Sequence, residues 1–377
     1  MSVVYVHVGL PKTGTTHLQD RLWWNRDLAF RDSGLLYPGN EMADHFHAAT
    51  HLQPDRYLDW VDPACANSWP TMVSQMRAWP GKSLVSHELF ATARDDQIES
   101  LVNDLSFADE VHVIVTVRDL ARQLPSVWQE NVKNQRLASF DDFVTSVRRN
   151  APRRTGSWGG DMEEEPFWEF QDYVGILGRW AKFVGPDRAH LVTVARPGTG
   201  ASSLWERFLS VLDVDPAPMT IDVPTNNTSL SAAQAEFLRR LNSRLQPDDI
   251  DWDRYERVVK GHIIAKVLFE QKGGTPLGLS TEQRAWVADE AEAMVDAVRA
   301  AGYPVTGDLG DLAVDRTAGD DSRPPTVDEI LDASLDAVAG VAKTMPYPES
   351  RARMQTRAAN VVRRVGRRMV SVRRRLG

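Results

Sequence analysis

Two kinds of hydrophobic spacing alternate along this 377-residue chain. Short apolar runs rich in β-branched residues predict buried strands, and they lie at 3–8, 84–90, 111–117 and 191–196. Between them, apolar residues recur every three or four positions and predict amphipathic helices at 15–26, 120–133 and 204–212. Strands that alternate with helices are typical of an α/β fold. We therefore predict a parallel sheet flanked by helices.

The chain changes character near residue 304. Residues 304–325 are rich in glycine, proline and aspartate, a composition typical of a linker. Thr326, followed three positions later by Glu329, is a capping box that predicts the start of a helix. The apolar stripe predicted for this helix comprises Ile330, Leu331, Leu335, Val338 and Val341. We therefore predict an α/β domain over 1–303, a linker over 304–325 and a helical extension over 326–377.

The end of the chain predicts a basic amphipathic helix. Its apolar positions at helical spacing are Met354, Ala358, Val361, Val365 and Met369. Residues 351–377 hold ten arginines and no acidic residue, so the rest of the chain carries a net charge of −18. Such a helix can pack on an acidic face of its own domain or of a second copy, or lie on an anionic membrane. No aromatic-interleaved basic patch accompanies it, and the acidic body argues against nucleic acid.

Composition bounds the class of protein. A hydrophobic content of 42% over 377 residues is enough for a sizeable core. One cysteine excludes an intrachain disulfide and fits a reducing compartment. The sequence shows no secretory signal and no apolar run of the roughly 18 residues that a membrane span needs. We therefore expect a cytoplasmic protein, with its basic end as the one predicted point of peripheral membrane contact.

The most informative segment is Gly9-Leu10-Pro11-Lys12-Thr13-Gly14-Thr15-Thr16. It follows the first predicted strand and opens the first predicted helix. Glycines let the backbone bend close to a ligand, and a helix start presents free N–H groups and the positive end of its dipole. Lys12 adds a charge, and the threonines add hydroxyl donors. The segment predicts a phosphate-binding loop.

The order of residues in this loop separates it from the nucleoside-triphosphate type. That type places the lysine directly after the second glycine and uses the next hydroxyl to hold Mg²⁺. Here Lys12 precedes Gly14 by two positions. The string PKTGTT instead resembles the 5′-phosphosulfate loop of sulfotransferases that use 3′-phosphoadenosine 5′-phosphosulfate (PAPS). The resemblance implies that the phosphosulfate is held by Pro11, Lys12, Thr13, Gly14, Thr15 and Thr16.

A second motif supports the resemblance. Arg118 follows the strand at 111–117, and Ser126 lies eight residues later in the next helix. This pair is similar to the 3′-phosphate motif of the same family, and a guanidinium suits a phosphate because its planar fork donates two hydrogen bonds. Ligands of parallel sheets collect at the carboxyl ends of the strands, where both motifs fall. The resemblance covers about residues 1–300, and the nearest candidates for a third element are Arg257, Lys260 and Gly261.

The resemblance implies the transfer of a sulfuryl group from PAPS to a small-molecule, lipid or carbohydrate acceptor, and this chemistry requires no metal. Lys12 would neutralise the leaving phosphate, and a general base would take the proton of the acceptor. The family places its base where the strand corresponding to 84–90 runs into polar residues. In this chain His87 and the adjacent Glu88 lie at that position. Other branches place it near the cluster of His45, His47 and His51. Glu88 is favoured slightly, with His87 and His47 as alternatives.

Two other functions stay open at this point. A P-loop kinase shares the fold class but needs a hydroxyl that holds magnesium. A non-catalytic nucleotide-binding protein would act through its basic end. A homodimer is compatible with each of these functions.

Overall fold

The structure is a computed structural model that describes residues 1–57, 61–151, 166–224, 229–271, 273–317 and 323–345. Its centre is a six-stranded parallel sheet with the strand order β2-β3-β1-β4-β5-β6. The strands are β1 (Val3–His7), β2 (Leu35–Leu36), β3 (Lys82–Ser86), β4 (Glu110–Val117), β5 (Ala189–Thr193) and β6 (Val305–Thr306). This confirms the predicted α/β class with a parallel sheet flanked by helices.

Helices cover both faces of the sheet. In the first half of the described chain they are α1 (Thr15–Trp24), α2 (Arg26–Ser33), α3 (Asp44–Leu52), α4 (Ser68–Ala78), α5 (Asp95–Asp104), α6 (Leu120–Lys133) and α7 (Phe140–Asn150). In the second half they are α8 (Phe167–Gln171), α9 (Tyr173–Val184), α10 (Leu204–Val211), α11 (Ala232–Asn242), α12 (Trp252–Tyr255), a π-helix (Glu256–Leu268), α13 (Thr281–Ala301) and α14 (Val327–Thr344).

Alternate residues of the central strands enter two separate cores. Val4 and Val6 of β1 face the larger core, to which α4, α5, α6, α9 and α13 contribute. Tyr5 and its neighbours on the other face pack on α1 and α10, through residues such as Leu18 and Phe208. Since side chains alternate along a strand, a continuous apolar run is what a strand covered on both sides requires.

The structure corrects two predicted features. The strand predicted over 84–90 ends at Ser86, because His87 caps a short 3₁₀-helix over Glu88–Thr92. The predicted linker 304–325 is wrong in its first part, since Val305–Thr306 pairs with β5 as strand β6. Asp311, in the same interval, forms a buried ion pair with Arg207 at 2.5 Å. This interval therefore belongs to the domain as far as Leu312, while the other predicted boundaries stay predictions.

The helix predicted after Thr326 is present, and its capping box with Glu329 is formed. Its apolar stripe, however, is divided: Ile330 is buried, whereas Leu331, Leu335 and Val338 are exposed. The basic segment 351–377 lies outside the described residues. None of the helices in the described part of the chain is both long enough and apolar enough to span a bilayer.

Candidate functional site

The loop between β1 and α1 lies at the carboxyl end of the central strand. Gly14 precedes the first helical residue with a φ of 103° and has no side chain with which to cap α1, so the first N–H groups of that helix face the loop. Gly9 has a φ of 116°, and a Cβ on it would lie 3.2 Å from the Cβ of Glu88. Only glycine fits such a position. The structure therefore forms the strand–loop–helix arrangement that the motif predicted.

Hydrogen bonds tie the start of this loop to β4. The backbone N–H of Leu10 donates to the carbonyl of Thr116 at 3.0 Å, and the N–H of Thr116 donates to the carbonyl of Gly9 at 2.6 Å. The hydroxyl of Thr13 is turned inward, where it donates to the carbonyl of Leu10 at 2.7 Å. Thr13 and Thr15 are buried, whereas Gly14 and Thr16 are exposed. The loop thus offers its backbone and Thr16, and not the Thr13 hydroxyl, to a ligand.

Lys12 is held by a carboxylate that sequence reasoning missed. It has a left-handed φ of 67°, and its Nζ lies 3.0 Å from Oε2 of Glu130 on α6. Nζ of Lys133 lies 3.5 Å from the same oxygen. Lys260, one of the candidates for a third element, belongs to the π-helix and donates to Oδ1 of Asn134 at 3.0 Å.

The charges around Glu130 make this edge of the sheet electropositive. Burial raises the pKa of Glu130, but the ammonium groups of Lys12, Lys133 and Lys260 outweigh burial, and the pKa lies below its ordinary value. Burial in turn lowers the pKa of Lys133. Lys260 also forms an ion pair with Glu256 at 4.0 Å, so three ammonium groups face two carboxylates and leave a net positive charge, which favours an anionic ligand.

Arg118 and the loop are connected through one amide that sequence reasoning also missed. Nε of Arg118 donates to Oε1 of Gln123 at 3.1 Å, and Nε2 of Gln123 donates to the carbonyl of Pro11 at 2.7 Å. Gln123 also donates to Oε1 of Gln171 at 2.8 Å. Arg118 is largely buried, and burial lowers its pKa to about 10. Ser126 is half-buried on α6. The two predicted phosphate motifs therefore share one hydrogen-bond network.

Glu88 lies on the β3 side of the same loop, against Gly9. Nε2 of Gln19, in α1, donates to Oε2 of Glu88 at 3.1 Å and to Oγ of Ser86 at 3.3 Å. Burial raises the pKa of Glu88, but hydrogen bonds from its own backbone N–H and from the Gln19 amide favour the ionised form, and the pKa lies below its ordinary value. Glu88 is therefore an oriented carboxylate that is ionised at neutral pH.

The ring of His87 accepts a backbone hydrogen bond, unlike the carboxylate of Glu88, which is bound by a side-chain amide. Its Nδ1 accepts a hydrogen bond from the backbone N–H of Leu89 at 3.2 Å, and the ring packs edge-on against Phe46 at 5.5 Å. Burial lowers the pKa of His87, so the ring is neutral. A neutral imidazole whose Nδ1 accepts carries its proton on Nε2. In this tautomer His87 has no free lone pair with which to act as a base.

The histidines of α3 point in different directions. Nδ1 of His45 accepts a hydrogen bond from the N–H of Ser86 at 3.2 Å, and burial lowers the pKa of His45 to about 3. His47 is half-buried, and its Nδ1 is buried without a hydrogen-bond partner among the described residues. His51 contacts the carbonyl of Asp62 at 3.0 Å. A hydrogen bond therefore ties His45 to the end of β3, whereas His51 is bonded elsewhere.

Of the missed residues, Gln123 carries a signal in the sequence, because it is a buried polar residue beside the apolar Leu120 and Leu124 of α6. A buried polar side chain needs a partner, and Gln123 bonds to the loop and to Arg118. Gln19 and Glu130 are only half-buried and carry no such signal. Within the described residues, no group of three or more His, Cys, Asp or Glu side chains is placed to hold a metal ion.

The comparisons with known proteins leave the family open. No family model and no curated protein matches the chain. Among solved structures, the chain is similar to a sulfotransferase from Alicyclobacillus acidocaldarius, with 14% identity and a TM-score of 0.36 over 68% of this chain and 95% of that chain. A similarity of this size carries no argument about what this chain does.

Proposed function

We propose that this protein is a sulfotransferase that moves the sulfuryl group of PAPS to a hydroxyl or amine of a small-molecule, lipid or carbohydrate acceptor. The observation that carries the proposal is the loop motif PKTGTT at the carboxyl end of the central strand, with Lys12 and Arg118 on one side of it and Glu88 on the other. Ligands of parallel sheets bind at this end of the strands.

The two ends of PAPS, its 5′-phosphosulfate and its 3′-phosphate, would bind to different residues. The backbone of the loop and Lys12 would hold the 5′-phosphosulfate, because a helix start with free N–H groups favours a phosphate. Arg118 and Ser126 would hold the 3′-phosphate. Arg118 can reorient toward that phosphate only if it leaves the carbonyl of Arg122, to which its Nη2 now donates at 3.0 Å.

The reaction needs charge stabilisation and a proton acceptor. An acceptor oxygen would attack sulfur while the bond between sulfur and the bridging phosphate oxygen breaks, so adenosine 3′,5′-bisphosphate departs. Lys12 would stabilise the charge that develops on the bridging oxygen. Glu88, ionised and oriented by Gln19, would take the acceptor proton. The tautomer of His87 favours Glu88 over its neighbour, and Glu88 is the candidate whose carboxylate accepts a hydrogen bond from Gln19.

The kinase alternative is disfavoured by the loop itself. A kinase loop uses the hydroxyl that follows its lysine to hold Mg²⁺. In this chain that hydroxyl belongs to Thr13, which is 2% exposed and donates to the carbonyl of Leu10. The loop would have to open before Thr13 met a metal.

Calorimetric titration tests the proposed nucleotide. The wild type and Arg118→Ala are each titrated with adenosine 3′,5′-bisphosphate and, separately, with ADP and Mg²⁺. We expect metal-independent binding of the bisphosphate that weakens by about tenfold or more in Arg118→Ala, since a charge-assisted hydrogen bond contributes roughly 1.5–3 kcal/mol. Equal or tighter binding of magnesium ADP would contradict the proposal and support a kinase.

Activity is tested in a second step. The wild type is incubated with ³⁵S-labelled PAPS and a panel of phenols, sugars, amines and lipid alcohols, and labelled products are separated. Transfer to one class of acceptor identifies the substrate. Binding of the bisphosphate without transfer to any acceptor of the panel would favour the non-catalytic alternative.

A further inference from the structure

One face of α14 is apolar and exposed to solvent. Its large side chains there are 52–70% exposed, and they are Val327, Leu331, Leu335, Val338 and Met345. Ala342 is exposed on the same face. We call the seam the five residues Val327, Leu331, Leu335, Val338 and Ala342. They are separated by four, four, three and four residues, so they form one continuous apolar line along the helix. A seam of this length on a helix surface indicates a partner.

The opposite face of α14 fixes the helix on the domain. Ile330 and Ala337 are buried, and α14 packs on α11 and on the π-helix. A Cβ on Gly340 would clash with Cγ1 of Val267, which shows how closely the two helices approach. The exposed seam therefore cannot be turned inward without losing this packing.

The segment that follows α14 carries the same spacing in reverse order. From Met369 back to Met354, the apolar positions named in the sequence analysis are separated by four, four, three and four residues. The seam of α14, read forward from Val327 to Ala342, has the same steps. Every seam residue and its counterpart are equidistant from position 348. The resulting pairs are Val327 with Met369, Leu331 with Val365, Leu335 with Val361, Val338 with Ala358, and Ala342 with Met354.

A mirror relation is what two antiparallel helices joined by a short turn require. Residues 346–350, Pro-Tyr-Pro-Glu-Ser, would form the connection, and connections of two to eight residues are usual between packed helices. Pro348 stands at the centre of symmetry, and Ser350 is a preferred residue at a helix start. The small side chains of Ala342 and Ala358 each face a larger one, as interdigitating seams require.

Charge favours the same pairing. α14 carries Asp328, Glu329, Asp332 and Asp336 against one basic residue, Lys343. Residues 351–377 carry ten arginines and no acidic residue. Opposite charges beside an apolar seam stabilise the pair and set its orientation.

We propose that residues 351–377 cover the exposed seam of α14 as the second helix of an antiparallel hairpin centred on Pro348. The ligand of this surface is a segment of the same chain, and the inference does not depend on the proposed sulfotransferase activity.

Cysteine crosslinking in the full chain tests the register. In a Cys65→Ser background, Leu335→Cys is combined with Val361→Cys as the matched pair. As control, Leu335→Cys is combined with Arg363→Cys, which lies on the opposite side of the second helix. At low protein concentration a short bifunctional thiol reagent should join the matched pair within one molecule about tenfold faster than the control, because docking fixes the orientation of the thiols. Leu335 is exposed, so its replacement leaves the core intact.

Three results would overturn the proposal. Equal rates for the two pairs would mean that no fixed register exists. Crosslinked dimers whose yield rises with protein concentration would mean that a second copy covers the seam. Absence of the matched crosslink in solution, together with binding of the chain to vesicles of phosphatidylglycerol, would assign the seam and the arginines to a lipid surface. A second matched pair, Val338→Cys with Ala358→Cys, tests whether apolar contacts along the seam hold the two helices together. The crosslinking rate of this pair is measured with and without Leu331→Glu. The added charge should slow the crosslink about tenfold.

Discussion

The ammonium group of Lys12 lies 3.0 Å from the carboxylate of Glu130, so the charge of the loop lysine is paired within the protein itself. An anion that binds Lys12 must compete with this carboxylate. The side chains of Lys12 and Glu130 are 27% and 37% exposed, so solvent screens the pair and Glu130 is able to swing away. Glu130 is therefore an internal counter-ion of the loop.

Glu130→Gln should tighten the binding of adenosine 3′,5′-bisphosphate. Removing the competing charge frees Lys12 while it keeps the shape of the side chain, and a partly exposed ion pair corresponds to an affinity gain of roughly twofold to fivefold. Calorimetric titration at low salt measures the change. Glu99→Gln, an exposed glutamate on α5, is the matched control and should bind as the wild type does. Weaker binding by Glu130→Gln would mean that Glu130 holds the ligand instead of competing with it.

Gln123→Met should weaken nucleotide binding as well as stability. The variant leaves Arg118 and the carbonyl of Pro11 without their amide partner, and broken buried hydrogen bonds cost roughly 1–3 kcal/mol of the free energy of unfolding. We expect the affinity for the bisphosphate to fall by about tenfold, since each 1.4 kcal/mol corresponds to that factor.

Gln234→Met is the matched control for Gln123→Met. Gln234 is also buried, and its amide donates to the carbonyl of Leu268 at 3.2 Å and to Gln271 at 3.0 Å, without a bond to the loop. Urea unfolding should show a comparable loss of stability in both variants. If both also lose the same amount of nucleotide affinity, Gln123 does not position Arg118 and the loop.

Glu88→Gln should lower kcat and leave nucleotide binding unchanged. A general base contributes about 10² to 10⁴ in rate, and glutamine keeps the hydrogen bond with Gln19 without taking a proton. His87→Asn should keep most of the activity, because an asparagine oxygen can still accept from the Leu89 N–H. The pKa of Glu88 lies below its ordinary value, so the rate should stay level as the pH falls from neutral and decline only under strongly acidic conditions. A large loss in His87→Asn alone would reassign the base.

Acid should destabilise the protein well before its carboxylates are protonated. Burial lowers the pKa of His7 and of His190 to about 4 in the folded state, against 6.5 for the unfolded chain. Below pH 6.5 the unfolded chain therefore binds protons that the folded chain does not, and stability falls as the pH drops toward 4. His7 alone corresponds to a loss of about 3 kcal/mol by pH 4.

Urea unfolding at several pH values between 7.5 and 4.5 measures this loss. His190 stacks on His112 at the opposite end of the strands from the loop, with the ring nitrogens 2.9 Å apart. His190→Gln should therefore flatten the pH dependence without changing nucleotide binding. A free energy of unfolding that stays constant down to pH 4.5 would contradict the assignment.

Local pattern was enough to predict the fold class and the loop. The strands around Tyr5 and Val113 are continuous apolar runs because both of their faces are covered, and the glycines at 9 and 14 mark positions that only glycine fits. The predicted helices over 120–133 and 204–212 match α6 and α10 to within one residue.

What the sequence could not predict depends on contacts between distant residues. Glu130 is 118 positions from Lys12, and Gln123 is 112 positions from Pro11, so no local spacing signals either pair. The strand at Val305–Thr306 is only two residues long, too short for a periodic pattern. His45 is 41 positions from Ser86, whose N–H it binds, so no local spacing signals this contact either.

The position of β6 has a consequence for how the chain folds during synthesis. The edge of the sheet beside β5 is completed only by residues that follow the 21-residue α13. Until Asp311 emerges from the ribosome, Arg207 has no carboxylate in its buried position, and an unpaired buried charge costs about 3–5 kcal/mol. In a nascent chain that ends near residue 303, β5 therefore lacks its neighbour β6. The sheet gains this last strand only after four-fifths of the protein has been made.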